Sequence, residues 1–284
     1  MYDGQITLSD GRTLAYTDIG DPDGAPIVHF HGTPSSRLEL RSFDAAFANA
    51  GLRMITADRP GYGRSSAQPH RTLADAPADA TALANALGID RFLVSGLSGG
   101  GPFAMACCAL IPERTVAACI AAGDPDLAWP DARRGYDPLE LAIIDASDEG
   151  AAVAVCTEAI GADGSGFLTS NALPWAEPDL AMLADETFAA HVQTVIAEGF
   201  LQGVSGYVRD VRVKGQPWPV DPKGRSVPIA IIHGELDTIV PLHHGRLAAE
   251  RFAGATLQVL PGHGHISFLP AWPQILAALV RDVT

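Results

Sequence analysis

The five residues Gly96-Leu97-Ser98-Gly99-Gly100 place a serine between small neighbours, directly after the apolar run Phe92-Leu93-Val94 and just before a helix that Pro102 starts. Such a strand-to-helix turn presents the hydroxyl on a strained backbone, and flanking glycines remove the Cβ atoms that would clash. A serine hydroxyl is a poor nucleophile near neutral pH. It needs a base to take its proton and a carboxylate to orient that base. Two later segments offer both, in the chain order serine, acid, histidine. Ile231-Ile232-His233-Gly234-Glu235-Leu236-Asp237 carries Asp237 just past an apolar run, and Val259-Leu260-Pro261-Gly262-His263-Gly264-His265 carries two histidines past the last such run. The residue types and their order point to acyl transfer through a covalent serine intermediate; the alternative is a Gly-rich turn without chemistry.

These groups can meet only if the elements that carry them end at one edge. The opening reads as a hairpin, 5–9 and 13–18, around Asp10-Gly11. Short apolar runs at 27–30, 53–57, 92–94, 116–122, 229–232 and 256–260 predict strands, and helical patterns at 73–87, 102–110, 242–252 and 273–280 alternate with them. A further helix is expected from a cap at Ser35 or Ser36 to about residue 49, with Gly51 as its stop. Strands apolar on both faces, separated by helices, predict an α/β fold with a mainly parallel sheet covered on both sides. Sheets of that kind carry their chemistry at the carboxyl ends of the strands. From Pro125 to Asp221 the pattern changes to amphipathic helices (139–144, 151–160 and 188–199), with breaks at 161–166 and 174–178. The expected division is therefore a core of 1–124 and 222–284 with a helical insertion at 125–221.

Together with His31-Gly32-Thr33-Pro34 and Asp58-Arg59-Pro60-Gly61-Tyr62-Gly63-Arg64-Ser65, these motifs make the chain resemble the α/β-hydrolase family over nearly its whole length. The resemblance implies Ser98 as nucleophile, Asp237 as acid and His265 as base; Gly264-His265 is taken as the family's Gly-His pair in preference to Gly262-His263. Asp124 is a rival position for the acid, and Glu235 reads as a loop residue. An oxyanion hole needs two backbone donors. One is expected at Gly99, next after the nucleophile, and the family pattern puts the other at Thr33; Pro34 has no N–H to offer. A single glycine in that loop is closer to smaller esterase-like and carbon–carbon-hydrolase-like relatives than to lipases. In the family, an insertion here is a helical cap over the site, and residues 199–203, Tyr207, Asp210 and Pro217-Trp218-Pro219 look like its end. Trp129, Trp175, Phe188, Phe200 and Trp218 could line an acyl pocket or pack the cap on the core. A serine at the elbow sets the chain apart from dehalogenase and epoxide-hydrolase relatives, which use aspartate. Hydroxynitrile-lyase relatives keep a lysine by the site; only Lys214 and Lys223 exist here, near the end of the insertion, which disfavours that chemistry.

Composition narrows the field further. The chain has 284 residues, 47% of them hydrophobic, which excludes disorder and suits one or two globular domains. A formal charge of −14 works against nucleic acid or anionic lipid as a partner. The insertion holds 16 acidic and 5 basic residues, so most of the imbalance lies there. No apolar run approaches the roughly 18 residues of a membrane span, and Met-Tyr-Asp-Gly-Gln lacks the basic-then-apolar pattern of a leader, so a cytoplasmic protein without a membrane partner is expected. The four cysteines show no zinc or redox spacing and read as buried thiols. His29 with His31 and His243 with His244 lack a third ligand in a matching place. No metal or organic cofactor is expected, and His31 is assigned to shaping the loop it begins. The expected substrate is a small carboxylic ester or related acyl compound, neutral and partly hydrophobic. The same triad also serves amidases, iminopeptidases and carbon–carbon hydrolases. A cofactor-free lyase, transacylase or perhydrolase, or a ligand-binding protein on the same framework, is the other class. The acidic insertion would favour neutral or cationic substrates over anionic ones if its carboxylates face the entrance. The oligomeric state is left open.

Overall fold

Eight strands join in one sheet in the computed structural model, which describes residues 1–169, 173–218 and 227–283. They are β1 (Tyr2–Thr7), β2 (Thr13–Gly20), β3 (Ala25–Phe30), β4 (Leu52–Ala57), β5 (Phe92–Leu97), β6 (Thr115–Ala121), β7 (Ile229–Gly234) and β8 (Ala255–Leu260). Their order is β1-β2-β4-β3-β5-β6-β7-β8; β1 and β2 are antiparallel additions at one edge, and β4 through β8 run parallel with β3 among them. Every residue of β5 is buried, as a strand paired on both sides and covered on both faces must be. The edge strand β8 alternates in burial instead.

The helices are α1 (Asp44–Asn49), α2 (Ala76–Ala86), α3 (Gly101–Leu110), α4 (Pro138–Asp145), α5 (Glu149–Ile160), α6 (Gly166–Thr169), α7 (Glu177–Leu183), α8 (Glu186–Gly199), α9 (Ser205–Lys214), α10 (Leu242–Arg251) and α11 (Trp272–Val283). On one face of the sheet Leu83 of α2, Phe103 of α3 and Phe252 after α10 share an apolar core. On the other, Phe47 of α1 packs with Trp272 and Leu276 of α11. All four cysteines are buried free thiols.

The helix expected from residue 35 begins later, with a 3-10 turn at Arg41–Phe43 leading into α1. Ser36 does not cap it: its hydroxyl donates to the carbonyl of Val195 in α8. The Arg37 amide and guanidinium both go to Asp58, at 2.7 and 2.9 Å. Those long-range contacts draw residues 35–40 out of a helical path.

Between β6 and β7 the described residues form α4 to α9 and no strand. The expected boundary at 221/222, with Pro219 and Lys223, lies outside the described residues. Three helices here, α6, α7 and α9, are absent from the sequence reading. α9 buries Tyr207, Val208 and Val211 against Ile143, Cys156 and Ile196, and the same cluster takes in Tyr62 from the loop after β4. Gly206 permits that docking, since a Cβ there would stand 2.6 Å from the Gly61 carbonyl carbon.

Candidate active site

Ser98 follows the last residue of β5 with φ of 51°, a left-handed conformation uncommon for any residue with a side chain. The turn closes tightly around it: a Cβ at Gly96 would lie 2.6 Å from the Gly100 carbonyl oxygen, so glycine is required there. Ser98 lines a cavity of about 660 Å³ whose wall also includes Thr33 and His265.

His265, past β8, donates from Nδ1 to Asp237 Oδ2 at 2.8 Å. Asp237 follows β7, and its Oδ1 accepts the amides of Ile239 and Val240, each at 2.9 Å. A second imidazole, His233, stands 3.5 Å from Asp237 and donates its Nε2 proton to the Val240 carbonyl at 2.7 Å. Burial works to lower the His265 pKa, but the charge and hydrogen bond of Asp237, with smaller effects from Asp179 and Asp124, overcome it and hold the imidazole above its ordinary value. Burial likewise opposes ionisation of Asp237, and the charge and hydrogen bond of His265 outweigh it, leaving the carboxyl below its usual range. Of the two candidate histidines, it is the one after Gly264 that pairs with the acid.

Asp124 sits close by but is otherwise occupied. Its amide donates to the Ser98 carbonyl at 3.2 Å, and its Oδ2 takes Lys214 Nζ at 2.5 Å and the Tyr136 hydroxyl at 3.1 Å. Lys214 also reaches Glu140 Oε2 at 3.0 Å, and Tyr136 lies 2.8 Å from the same oxygen. Sequence distance made Lys214 look remote, yet α9 brings its ammonium within 2.9 Å of where a Cβ on Gly99 would be. Burial alone would discharge this lysine; the facing charges of Asp124 and Glu140 keep it protonated. Glu140 is pushed up to about 7 by burial, against the pull of Lys214. A lysine buried on the last turn of an unrecognised helix leaves little local signal.

The loop after β3 is held from two sides. Glu39 accepts the Gly32 amide at 2.8 Å and faces His29 Nε2 at 2.7 Å, while His29 Nδ1 meets the Ser95 hydroxyl at 2.8 Å. The Arg59 guanidinium donates to the carbonyls of His31 and Gly32 and to Thr33 Oγ1, and its Nε donates to Asp210 of α9 at 2.6 Å. His31 Nδ1 donates to the Gly32 carbonyl at 2.8 Å and Nε2 accepts the Arg59 amide at 3.2 Å, so both ring nitrogens serve the loop. Burial and the neighbouring Arg59 keep that imidazole neutral. Thr33 abuts Gly99: a Cβ on Gly99 would stand 2.6 Å from Thr33 Cβ. The Gly32 amide is committed to Glu39.

Of the five aromatic residues considered for the pocket, Trp175 and Phe188 line the cavity. Trp129, Trp218 and Phe200 do not. The two tryptophans pack with Phe252, ring centroids 5.6 and 5.9 Å away, and Arg251 lies over Trp129. Phe200 packs against Tyr207 and Phe167 among α5, α8 and α9. Phe200 is buried there, and the two tryptophans are half-buried against the core. Four carboxylates, Glu39, Asp124, Asp137 and Glu140, line the cavity, and among the described residues no lysine or arginine does. Asp131, Asp145, Asp148, Glu158, Asp163 and others between β6 and β7 are exposed to solvent, away from it. Among the described residues no helix is long and apolar enough to cross a membrane, and no group of three or more His, Cys, Asp or Glu side chains could hold a metal ion.

Comparison with known proteins places the fold in a family. A family model described as alpha/beta hydrolase fold matches residues 25–271. The chain is 29% identical over 286 residues to a non-heme chloroperoxidase of Streptomyces lividans, covering 96% of both chains. It is 26% identical over 295 residues to a proline iminopeptidase of Xylella fastidiosa, covering 94% of this chain and 91% of the other. The crystal structure of the enol-lactonase from Burkholderia xenovorans superposes with a TM-score of 0.73 at 21% identity over 99% of each chain, a likeness of fold.

Proposed function

Since this chain belongs to the α/β-hydrolase fold family, we propose that it is a serine hydrolase cleaving a small carboxylic ester or related acyl compound. The observation that carries the reading is the 2.8 Å hydrogen bond from His265 to Asp237, in the same cavity as a serine held in a left-handed turn. In this reading His265 Nε2 takes the Ser98 proton as Oγ attacks the carbonyl carbon. The amides of Thr33 and Gly99 stabilise the developing oxyanion. Asp237 fixes the tautomer that leaves Nε2 free and stabilises the imidazolium. The imidazolium then protonates the departing alkoxide. Water, activated by the same histidine, attacks the acyl-enzyme and returns the proton to Ser98. The helices α4 to α9 act as a cap supplying Trp175 and Phe188 to the acyl pocket.

The test is covalent labelling with a serine-directed fluorophosphonate, beside turnover of a p-nitrophenyl ester series. Labelling at Ser98 and its loss in Ser98→Ala, together with loss of ester turnover, is expected. A wild-type protein that takes no label would point instead to a binding protein on the hydrolase framework.

A second reading is favoured by Glu39 and Asp137, the two carboxylates of the cavity wall without a lysine or arginine partner among the described residues: an acyl group bearing an ammonium, as in an aminoacyl ester or amide. The similarity to a proline iminopeptidase supports including such substrates. Comparing free-amine with N-acetylated aminoacyl esters decides it. A preference for the free amine supports this reading, and equal or lower turnover removes it.

A further inference from the structure

Asp179 lies in α7, on the segment between β6 and β7, yet its carboxylate is wholly buried against the loop that carries His265. Oδ2 accepts the amide of His265 itself at 2.8 Å. Oδ1 accepts the amides of Ile266 and Ser267, each at 2.9 Å. Three successive backbone donors thus converge on one carboxylate, and among the described residues it has no ion pair with a cationic side chain. Gly264 is part of the same construction, because a Cβ there would overlap the Asp179 carboxylate. The Gly264 amide is meanwhile tied to Ser267 Oγ at 2.8 Å, which closes the turn. Four residues before Asp179, the Trp175 ring stands 6.4 Å from the His265 ring, centroid to centroid, so the same stretch touches both the backbone and the side chain of the histidine.

We propose that Asp179 is a positioning residue for His265, setting the direction of its side chain from α7 and making the base dependent on α7 staying docked. This rests on the reading of His265 as the base. Backbone torsions at residues 265–267 fix where the imidazole Nε2 points. An acceptor that binds the amide of the base residue and the next two holds those torsions without touching the ring. A displacement of the base by about 1 Å can lower a rate ~100-fold. A second effect is electrostatic. The charged and titratable groups facing His265 are Asp237 from the loop after β7, Asp124 after β6 and Asp179 from α7, with His233 sharing Asp237. Asp179 is thus one of three carboxylates favouring the imidazolium, and it is the one supplied from a helix, α7. The sign follows directly: removing its charge lowers the His265 pKa.

The experiment compares wild type with Asp179→Asn, which keeps one oxygen acceptor without the charge, and Asp179→Ala, which keeps neither. Steady-state ester hydrolysis, the fluorophosphonate labelling rate at Ser98, thermal unfolding and an NMR titration of the His265 imidazole, assigned by its loss in His265→Gln, are measured on the full chain. We expect kcat to fall about tenfold in the Asn variant and up to ~100-fold in the Ala variant, with KM within about threefold, and labelling to slow in parallel. The His265 midpoint moves to lower pH in both variants, and the acid limb of kcat/KM moves with it. Unchanged kcat and an unchanged midpoint would overturn the proposal. So would a loss of activity that merely follows the unfolded fraction while the midpoint stays put. A wild-type protein that neither labels nor turns over esters, but whose His265 midpoint still shifts in Asp179→Asn, would support the positioning relationship and overturn the hydrolase reading instead.

Discussion

Lys214 Nζ lies 2.5 Å from Asp124 Oδ2, joining the last turn of α9 to the residue whose amide holds the Ser98 carbonyl. A second cation–carboxylate contact starts one helical turn earlier, where Asp210 meets Arg59 at 2.6 Å and Arg59 in turn holds the loop of Thr33. One helix therefore buttresses both sides of the cleft around Gly99.

Replacing Lys214 with Met leaves Asp124 and Glu140 buried without their cation. Breaking such a pair from one side costs about 3–5 kcal/mol. The cost should be smaller near pH 5.5 than near pH 8, because Glu140, already raised to about 7, can take up a proton in the variant. Urea unfolding at the two pH values measures this; an equal loss at both would count against the carboxylates as the cause.

Asp210 is fully buried, yet the charges of Arg59 and Arg71 outweigh that burial and lower its pKa from the ordinary 3.8 to about 2. A depressed carboxyl stabilises the fold above its unfolded value and loses that contribution as pH falls through the folded one. The shift corresponds to about 2 kcal/mol, present above about pH 5 and gone near pH 2. Asp210→Asn should be less stable than wild type at neutral pH, and the two stabilities should converge as the pH falls through that window. Parallel unfolding curves at every pH would contradict the assignment.

His265 must be neutral to act as a base, and its pKa is held above 6.5. The acid limb of kcat/KM should therefore have its midpoint above pH 6.5. Asp237→Asn removes the main opposing charge and the tautomer lock, so the midpoint should fall and kcat should drop about 10,000-fold. A pH–rate profile of both proteins checks the pair of expectations.

Phe188 forms part of the cavity wall, whereas Trp129 and Trp218 pack against Phe252 outside it. Phe188→Ala should raise kcat/KM for longer acyl chains relative to acetyl by about tenfold. Trp129→Phe and Trp218→Phe should leave the chain-length preference within about twofold while lowering stability by about 1 kcal/mol. A p-nitrophenyl ester series with thermal unfolding separates the two classes of position.

Much of this arrangement is legible along the chain because it depends on neighbours in sequence. The apolar runs that become β3 to β8 need only alternate with helices to require a covered parallel sheet. The glycines around Ser98 announce a tight turn because only a missing Cβ permits it. The paired histidine follows Gly264 for a reason that emerges only in space, since Asp179 fills the position a Cβ would take.

The rest was hidden for a physical reason. The stretch of α9, Ser205 to Lys214, contains Arg209, Asp210, Arg212 and Lys214, charges that interrupt the apolar pattern of a buried helix. Folded, Asp210 and Lys214 are both buried, because their charges meet partners contributed by distant residues: Arg59 and Arg71 for one, Asp124 and Glu140 for the other. No property of α9 alone reveals those partners. The same holds for the helix start expected at Ser35 and Ser36, which side-chain contacts to Val195 and Asp58 override.

The sequence by itself determined the sheet, the strained serine turn, the order of serine, acid and histidine, and the surplus of negative charge, since each is set by local periodicity, local sterics or composition. Only the tertiary structure decided which histidine meets Asp237, which aromatic rings line the cavity, which carboxylates face into it and that Lys214 stands beside Gly99. Those are distances between residues far apart in the chain. They follow from how helices dock, where burial makes an unpaired charge too costly to keep and so selects the partner.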